Sequence, residues 1–548
     1  MPFEAKNSVN SAEIRVFGPP GTGKTTYLKG IISDLGPSGV PDTDIMVASF
    51  TRTAAREIAS RVENLNPDSI GTLHSHCYRR IGKRGLVTDH IDDFNKDYPS
   101  YALGNSKSHK NSLDEPASDI TFENDADLLL AKYEYCRQQM RPRNSWPRDI
   151  VDFANAYETF KTANNLIDFT DMIEIAVNDK IAPAARYGLF DEAQDFSPLQ
   201  LKLIRQWGER MDQYWLAGDD DQCIFSFAGA TPEAFINPPL PDSQKVILDQ
   251  SYRVPQVIQS YADSYIKQIR VREPKEYRPR EAAGIIRRSR YELGSYELMD
   301  EVIETISEGK TVMLLAATSR LLSDIIANLR DAGIPFHNIY RVTRGDWNPL
   351  YSGAGVSSSD RLLAFLRPSH AAWGDNARMW TGADLLRWSQ VVKVSEVFKR
   401  GAKAYIETLD PFAEVPLSWL LENVIPDAMD HVFDMDLEWF YNTALLRSKS
   451  HGMDFPLTVY QQRGAAALRT TPKVTVGTIH SVKGGEADVV YFFPDVSKYA
   501  AADWQVHGMK RDAIIRANYV AFTRAKEELV LCTASTRYAI NVPAVRTV

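Results

Sequence analysis

Residues 18–25 read Gly-Pro-Pro-Gly-Thr-Gly-Lys-Thr, and they stand between a short strand-like segment, Glu13–Phe17, and a helical pattern from about Lys24 to Ser33. This GxxxxGK[ST] spacing, set after a strand and before a helix, is the P-loop pattern. Its glycines let backbone N–H groups approach phosphate oxygens, and the N-terminus of the following helix favours negative charge. Lys24 is placed to reach the β- and γ-phosphates, and the Thr25 hydroxyl to bind Mg²⁺. A second buried run, residues 45–49, is followed by a helical pattern with Ala54, Ala55, Ile58, Ala59 and Val62 on one face. Strands alternating with helices across short loops predict a parallel α/β sheet.

That rhythm stops after residue 80. Residues 86–125 are polar, and helical patterns return at 126–140 and 150–178. The block reads as a mostly helical insertion, after which strands are expected at 186–190, 214–218 and 245–248, with a helix at 198–208. A second α/β unit begins near 246. It includes a strand at 311–315 and a helix at about 319–330. A second helical insertion is expected over 370–465, then strands at 473–477 and 488–493, a helix at about 511–524 and a strand at 528–532. The boundaries predicted are 1–80 and 181–245 for the first α/β domain around an insertion at 81–180. For the second they are 246–369 and 466–548 around an insertion at 370–465.

Composition narrows the class. The chain has 548 residues, 44% apolar and 24% charged, with a formal charge of −8. This excludes a disordered chain and a binder that works by bulk positive charge, but a basic groove can sit on an acidic protein. Four separated cysteines (Cys77, Cys136, Cys223, Cys532) form no CxxC pair, which fits a reducing cytoplasm. No apolar run approaches the length of a membrane span, and MPFEAKNSVNSAE lacks the pattern of a signal peptide. His74-Ser-His76-Cys77 has no further His or Cys suitably spaced nearby, so zinc is not expected there.

A P-loop needs acids opposite it. Tyr187–Phe190 is an apolar strand ending in Asp191-Glu192-Ala193-Gln194-Asp195. Acids at the C-terminal end of a parallel strand face the ligand crevice. Asp191 would hold the Mg²⁺ shell, and Glu192 would orient and deprotonate an attacking water.

At this point an ordered series of motifs resembles superfamily 1 DNA helicases of the UvrD/Rep/PcrA type. After the P-loop come Ala48-Ser49-Phe50-Thr51-Arg52-Thr53-Ala54-Ala55 and Gly71-Thr72-Leu73-His74-Ser75. Asp168-Phe169-Thr170-Asp171, the DEAQD run, and the long Leu216–Ala230 segment around Gln222 follow. Leu248–Arg253, Val476–Glu486 and Tyr519–Ala525 complete the set. The resemblance covers most of both α/β units and implies two RecA-like P-loop domains with parallel sheets, each carrying a mostly helical insertion.

The resemblance also implies roles. Gly18, Pro19, Pro20, Gly21, Thr22, Gly23, Lys24, Thr25 and Thr26 would cradle ATP, with Thr25 and Asp191 holding Mg²⁺. Gln222 would sense the γ-phosphate, and Arg253 and Arg524 would reach it. Tyr252 would stack on adenine and Glu486 contact the ribose. Phe50, Thr51, Arg52, His74, Phe227, Thr478 and His480 would line a DNA track, with Phe227 the stacking platform. Two basic stretches read equally as a DNA-facing patch or a solvated face: 267–290, with nine Lys/Arg against three Glu, and Arg137–Arg148.

The chain departs from the family in several places. No glutamine precedes the P-loop, where the family uses one to read adenine. Ala228 stands where Arg is usual, Arg52-Thr53 replaces Asn-Lys, and Gly485 replaces Leu. The second insertion is shorter than usual, and few residues follow Arg524, a plan that fits a compact phage or plasmid version in a bacterial host cytoplasm. The expected activity is an ATP-dependent helicase and translocase moving 3′→5′ on single-stranded DNA, acting at single-strand/duplex junctions, with no membrane and with replication or repair proteins as partners. The alternatives are a translocase that displaces proteins with little unwinding, a 5′→3′ helicase of the same superfamily, and a non-catalytic DNA-binding scaffold.

Overall fold

The computed structural model describes residues 12–50, 66–104, 124–339, 347–351, 355–366 and 379–543. The helical pattern expected around 54–62 lies outside them. The chain divides into two compact units, Met1–Ser289 with Ala316–Ser319 and Thr478–Val548, and Arg290–Leu315 with Arg320–Gly477. Among the described residues no helix is long and apolar enough to cross a membrane.

Two six-stranded sheets of parallel strands carry the fold, as the strand–helix alternation predicts. The strands of the first part of the chain are β1 (Glu13–Phe17), β2 (Ile45–Ser49), β3 (Ile70–Thr72), β4 (Gly85–Leu86), β5 (Leu166–Ile167), β6 (Tyr187–Asp191), β7 (Gln213–Gly218) and β8 (Lys245–Ile247). The first sheet has the order β3-β2-β6-β7-β1-β8. Because β1 lies between β7 and β8, and β6 between β2 and β7, the C-terminal ends of β1, β6 and β7 lie side by side. The P-loop, the DEAQD run and the Asp219–Gln222 turn leave from those three ends, which is where an open α/β sheet holds its ligand.

The inner strands of the sheet are buried on both faces, so β2, β6 and β7 read as mostly apolar runs rather than alternating ones. Val16, Ile45, Val47, Leu189, Trp215 and Ala217 pack with Leu28 and Ile32 of the helix Lys24–Leu35. Their neighbours Phe17, Met46, Ala48, Phe190, Tyr214 and Leu216 point the other way. There they meet the helices Leu73–Ile81, Phe169–Asn178 and Pro198–Gly208. Each fully buried large apolar side chain contributes about 1.5–3 kcal/mol relative to exposure.

The first insertion has its own core, built on Phe94, Tyr133, Phe153, Tyr157 and Phe160. Helix Ile91–Asp97 lies in the stretch read as polar and weakly periodic; Ile91 and Phe94 are its two buried side chains, too few to set a period. The single helical pattern at 150–178 is two helices, Arg148–Ala163 and Phe169–Asn178. Asn165, at φ 52°, ends the first. A reciprocal capping box between Asp168 and Asp171 starts the second.

Further along lie β9 (Gln250–Pro255), β10 (Arg278–Arg280), β11 (Ile285–Arg288), β12 (Val312–Ala316), β13 (Phe336–His337), β14 (Val474–Thr478), β15 (Ala487–Phe492) and β16 (Ala525–Leu531). In the first unit β16 pairs in parallel with both β11 and β15. In the second unit β13 pairs in parallel with β14. The described part of the segment expected as a second insertion is helical, from Gly382–Ser389 to Arg447–Arg463. Its core sets Trp388 edge-on to Phe365, which stacks on Phe440 with ring centroids 4.3 Å apart.

Candidate functional site

The candidate site is built within the first unit from the ends of β1, β6 and β7, the β9 segment and residues 480–524. Gly21 and Gly23 hold φ of 73° and 79°, the left-handed region that glycine alone enters without cost. A Cβ on Gly21 would lie 2.5 Å from Arg253 Cβ, and one on Gly18 would lie 2.2 Å from Lys24 Cγ, so side chains there would fill the cradle. The Thr22 hydroxyl donates to Pro19 O at 2.8 Å and the Ser251 hydroxyl to Pro20 O at 2.8 Å. Tyr252 N donates to Gly21 O at 2.8 Å, which ties β9 to the loop. Lys24 Nζ donates to Gly18 O at 2.9 Å. Thr26 follows on the first turn of the helix.

Thr25 Oγ1 donates to Asp191 Oδ2 at 2.8 Å, so the two expected Mg²⁺ ligands are adjacent. Burial, and then Glu192, push the Asp191 carboxyl up to about 6. Glu192 behaves oppositely. Burial would raise its carboxyl, but Lys483, Lys24, a hydrogen bond from Gln194 and Arg524 outweigh it and hold it at about 2. Glu192 is therefore ionised at neutral pH. Its backbone sits at φ 54° and ψ 40°, a left-handed conformation that is uncommon outside glycine and concentrates at functional positions.

A buried polar chain leads away from these acids. Gln194 Oε1 accepts from Asp219 N at 2.9 Å, and Asp219 Oδ2 accepts from Gln222 Nε2 at 2.7 Å. Gln222 Oε1 accepts from Arg524 Nη2 at 3.0 Å, while Arg524 also donates to Gly485 O at 3.1 Å and Val520 O at 2.9 Å. Lys483 closes the chain: its Nζ pairs with Asp195, lies 3.6 Å from Glu192 and donates to Gln222 O at 2.9 Å. Burial opposes the Lys483 charge, yet Asp195 and Glu192 more than offset it and raise its pKa. Arg253 and Glu486, expected at the γ-phosphate and the ribose, pair with each other at 2.7 Å. Tyr252 is 74% exposed, an open ring face beside the loop.

The expected DNA residues fall into one aromatic cluster and several separate positions. Phe50 stacks on Phe225 with centroids 5.2 Å apart, Phe225 meets Phe227 edge-on at 5.8 Å, and Phe227 meets His480 edge-on at 5.5 Å. Phe227 is 39% exposed, whereas Phe225 is buried and carries Lys483 Nζ 5.1 Å from its ring centroid. His74 stands edge-on to Phe169 at 6.0 Å, and burial pushes its imidazole down to about 4, so it is neutral at physiological pH. Thr478 is fully buried, and its hydroxyl accepts from Ser481 N at 3.3 Å, so its side chain presents no surface. Thr51 and Arg52 lie outside the described residues.

Each basic stretch buries one cation, Lys275 in the first and Arg137 in the second, and leaves most of its other Lys and Arg side chains partly or fully exposed. Lys275 is buried against Asp219, Asp220 and Asp221 at 3.0, 2.6 and 2.8 Å, and Arg272 pairs with Asp221. Arg137 is buried among Asp168, Asp171 and Glu174. Arg143 pairs with Glu158 at 2.8 Å and lies over the Trp146 ring. His76 Nε2 donates to Val47 O at 3.2 Å in the core and Cys77 is buried. Among the described residues no group of three or more His, Cys, Asp or Glu is placed to hold a metal ion. Residues to which the sequence assigns no role but which are central here are Lys483, Gln194, Asp195 and Asp219. The lysine's place inside the Val476–Glu486 motif was the available signal.

The fold and loop define a P-loop α/β protein with acids and a glutamine at adjacent strand ends. Residues 2–238 match the UvrD/REP helicase N-terminal domain. The chain is 25% identical over 605 aligned residues to a probable DNA helicase II homolog of Mycoplasma capricolum, covering 94% of this chain and 82% of that one. It is 27% identical to the ATP-dependent DNA helicase PcrA of Bacillus subtilis over 56% of this chain and 43% of that one. It is 26% identical to the ATP-dependent DNA helicase UvrD2 of Mycobacterium tuberculosis over 44% of this chain. The match spans 40% of that relative's length. The chain is thus a relative of superfamily 1 helicases of the UvrD/PcrA type.

Proposed function

We propose that the chain is an ATP-dependent DNA motor that moves 3′→5′ along single strands and separates duplexes at single-strand junctions. The names of its relatives support DNA helicase activity. One observation supports the coupling: Lys483 is shared between the acids of the nucleotide site and the aromatic cluster. It pairs with Asp195, lies near Glu192, bonds Gln222 O, and packs over Phe225, which touches Phe227 and His480. A change at the nucleotide acids therefore has a path of direct contacts to the proposed base-stacking ring.

The donor set suits a Mg²⁺-bound nucleotide. Thr25 and Asp191 would hold the ion, which supplies charge neutralisation on phosphate oxygens. Lys24 and the loop N–H groups bind the phosphates. Ionised Glu192 orients the attacking water and takes its proton. Arg524, positioned through Gln222, and Arg253 bring positive charge to the transferring phosphoryl group. Tyr252 offers a stacking face for the base. The residues named discriminate the triphosphate more strongly than the base, because none reads the adenine edge.

Unwinding of labelled duplexes with a 3′ or a 5′ single-stranded tail, in ATP and Mg²⁺ at low salt, tests this reading. Unwinding from the 3′ tail is expected. Unwinding from the 5′ tail alone would reverse the polarity, and hydrolysis without unwinding would favour the protein-displacing translocase. Phe227→Ala is expected to reduce strand displacement by about tenfold while leaving ATP hydrolysis within a few fold, since a lost base stack is worth about 1–3 kcal/mol. Equal losses in both assays would remove Phe227 from the coupling role.

A further inference from the structure

A second site stands out on the first unit, away from the nucleotide loop. A cavity of about 590 Å³ is lined by one face of the helix Pro198–Gly208 and the segments that follow residues 138, 178 and 233. Its floor is apolar, from Pro198, Leu201 and Pro238. Its rim carries Lys180, Lys202 and Arg210, all exposed, and Arg205 beneath them; Glu209 is the one carboxylate among the lining side chains. Arg205 is engaged by Glu13 at 3.4 Å and by Asn237 O at 2.6 Å. Among the described residues Lys180, Lys202 and Arg210 have no carboxylate partner. Three free cations around one cavity are a local excess on a chain of net charge −8.

The backbone marks the same place independently. Met140 and Lys180 each follow the C-cap of a helix, with φ of 49° and 53°. Arg141 N donates to Cys136 O at 2.9 Å and Ile181 N to Ala176 O at 3.0 Å, which closes both helices in the Schellman manner. Glycine is the residue this position favours, because it alone lacks the Cβ penalty. Here both positions keep long side chains, one apolar and one cationic, and both side chains line the cavity.

We propose that this cavity is a docking site for an acidic peptide segment of a partner protein, with an apolar side chain seated on the floor and carboxylates on the Lys180–Lys202–Arg210 rim. The volume suits a few residues rather than a duplex. The cavity lining includes no aromatic ring, and aromatic stacking is how single strands are held without sequence preference. The site makes no use of the nucleotide residues, so it stands whether or not the motor reading does.

The test uses the full chain and fluorescence anisotropy of a labelled peptide, Asp-Glu-Asp-Leu-Leu-Glu-Asp-Glu, with a Ser-Ser version as control and an oligo-dT competitor. Saturable binding is expected, weakened by about tenfold or more in K202E/R210E and in the Ser-Ser peptide. K180G and M140G are each expected to weaken binding while the melting temperature stays unchanged or rises, because glycine relieves the left-handed backbone. Thermal melting thus separates loss of the site from loss of the fold. Absence of saturable peptide binding, or binding that ignores K202E/R210E, would overturn the proposal. Displacement of the peptide by oligo-dT, with K202E/R210E weakening oligo-dT binding equally, would overturn it in favour of nucleic acid.

Discussion

Glu192→Gln is expected to lower DNA-stimulated ATP hydrolysis by about 10²–10⁴-fold, the range that removal of a positioned general base produces. Nucleotide binding should survive, because the amide keeps the side chain's shape and Gln194 remains as a neighbour. Lys24→Ala should abolish hydrolysis by a different route, since it removes a cation from the phosphates and so weakens binding itself. The contrast is diagnostic. Glu192 is ionised at neutral pH because Lys483, Lys24, Gln194 and Arg524 outweigh its burial. An uncharged replacement cannot take a proton from water. Near-normal turnover in Glu192→Gln, with an unchanged melting temperature, would remove the proposed base.

The second large effect concerns stability. Arg137→Met should destabilise the first insertion by about 3–5 kcal/mol, because it leaves buried carboxylates without their main cation. Arg137 donates to Asp168 at 2.8 Å and to Glu174 at 2.6 Å, and its side chain is 5% exposed. Lys161 supports the same pair of aspartates, bonding Asp171 at 2.6 Å. Burial alone would raise the Asp168 carboxyl, but Arg137 and Lys161 overcome it and hold its pKa below the ordinary value. A carboxyl depressed in the folded state stabilises fully above its unfolded pKa of about 3.9, and that stability is lost as pH falls through the folded value. Removing Arg137 raises the folded value, so acid unfolding should begin at higher pH in the variant. Urea unfolding at neutral pH and an acid titration followed by circular dichroism read both effects. An unchanged urea midpoint would mean that the cluster adds nothing to the fold.

Legibility in the sequence followed the range of the interactions. The P-loop and the acids after β6 are set by contacts within a few residues, so spacing alone exposed them; the capping box at Asp168 is equally local, yet the helical pattern read over 150–178 ran through it. The parallel α/β character was readable because strands such as β2 (Ile45–Ser49) and β12 (Val312–Ala316) are nearly continuous apolar runs. Thr478, expected on the DNA track, is buried with its hydroxyl accepting from Ser481 N, an arrangement that spacing does not distinguish. The basic stretch at 267–290 illustrates the limit more sharply. Lys275 bonds Asp220, 55 residues away, and no periodicity announces that partnership. Lys483 is further still, 288 residues from Asp195. Its membership of a recognisable motif pointed to a role, but only the fold brought it to the acids and to Phe225. Met140 and Lys180 were invisible for the opposite reason: the usual sequence sign for a helix C-terminus is glycine, and these positions withhold it.

Steady-state ATP hydrolysis by the full chain, with and without a single-stranded oligo-dT, tests the central claim most directly. A DNA-dependent motor predicts stimulation of about tenfold or more, lost in Lys24→Ala and Glu192→Gln. Hydrolysis indifferent to the oligonucleotide, or retained in Lys24→Ala, would contradict it.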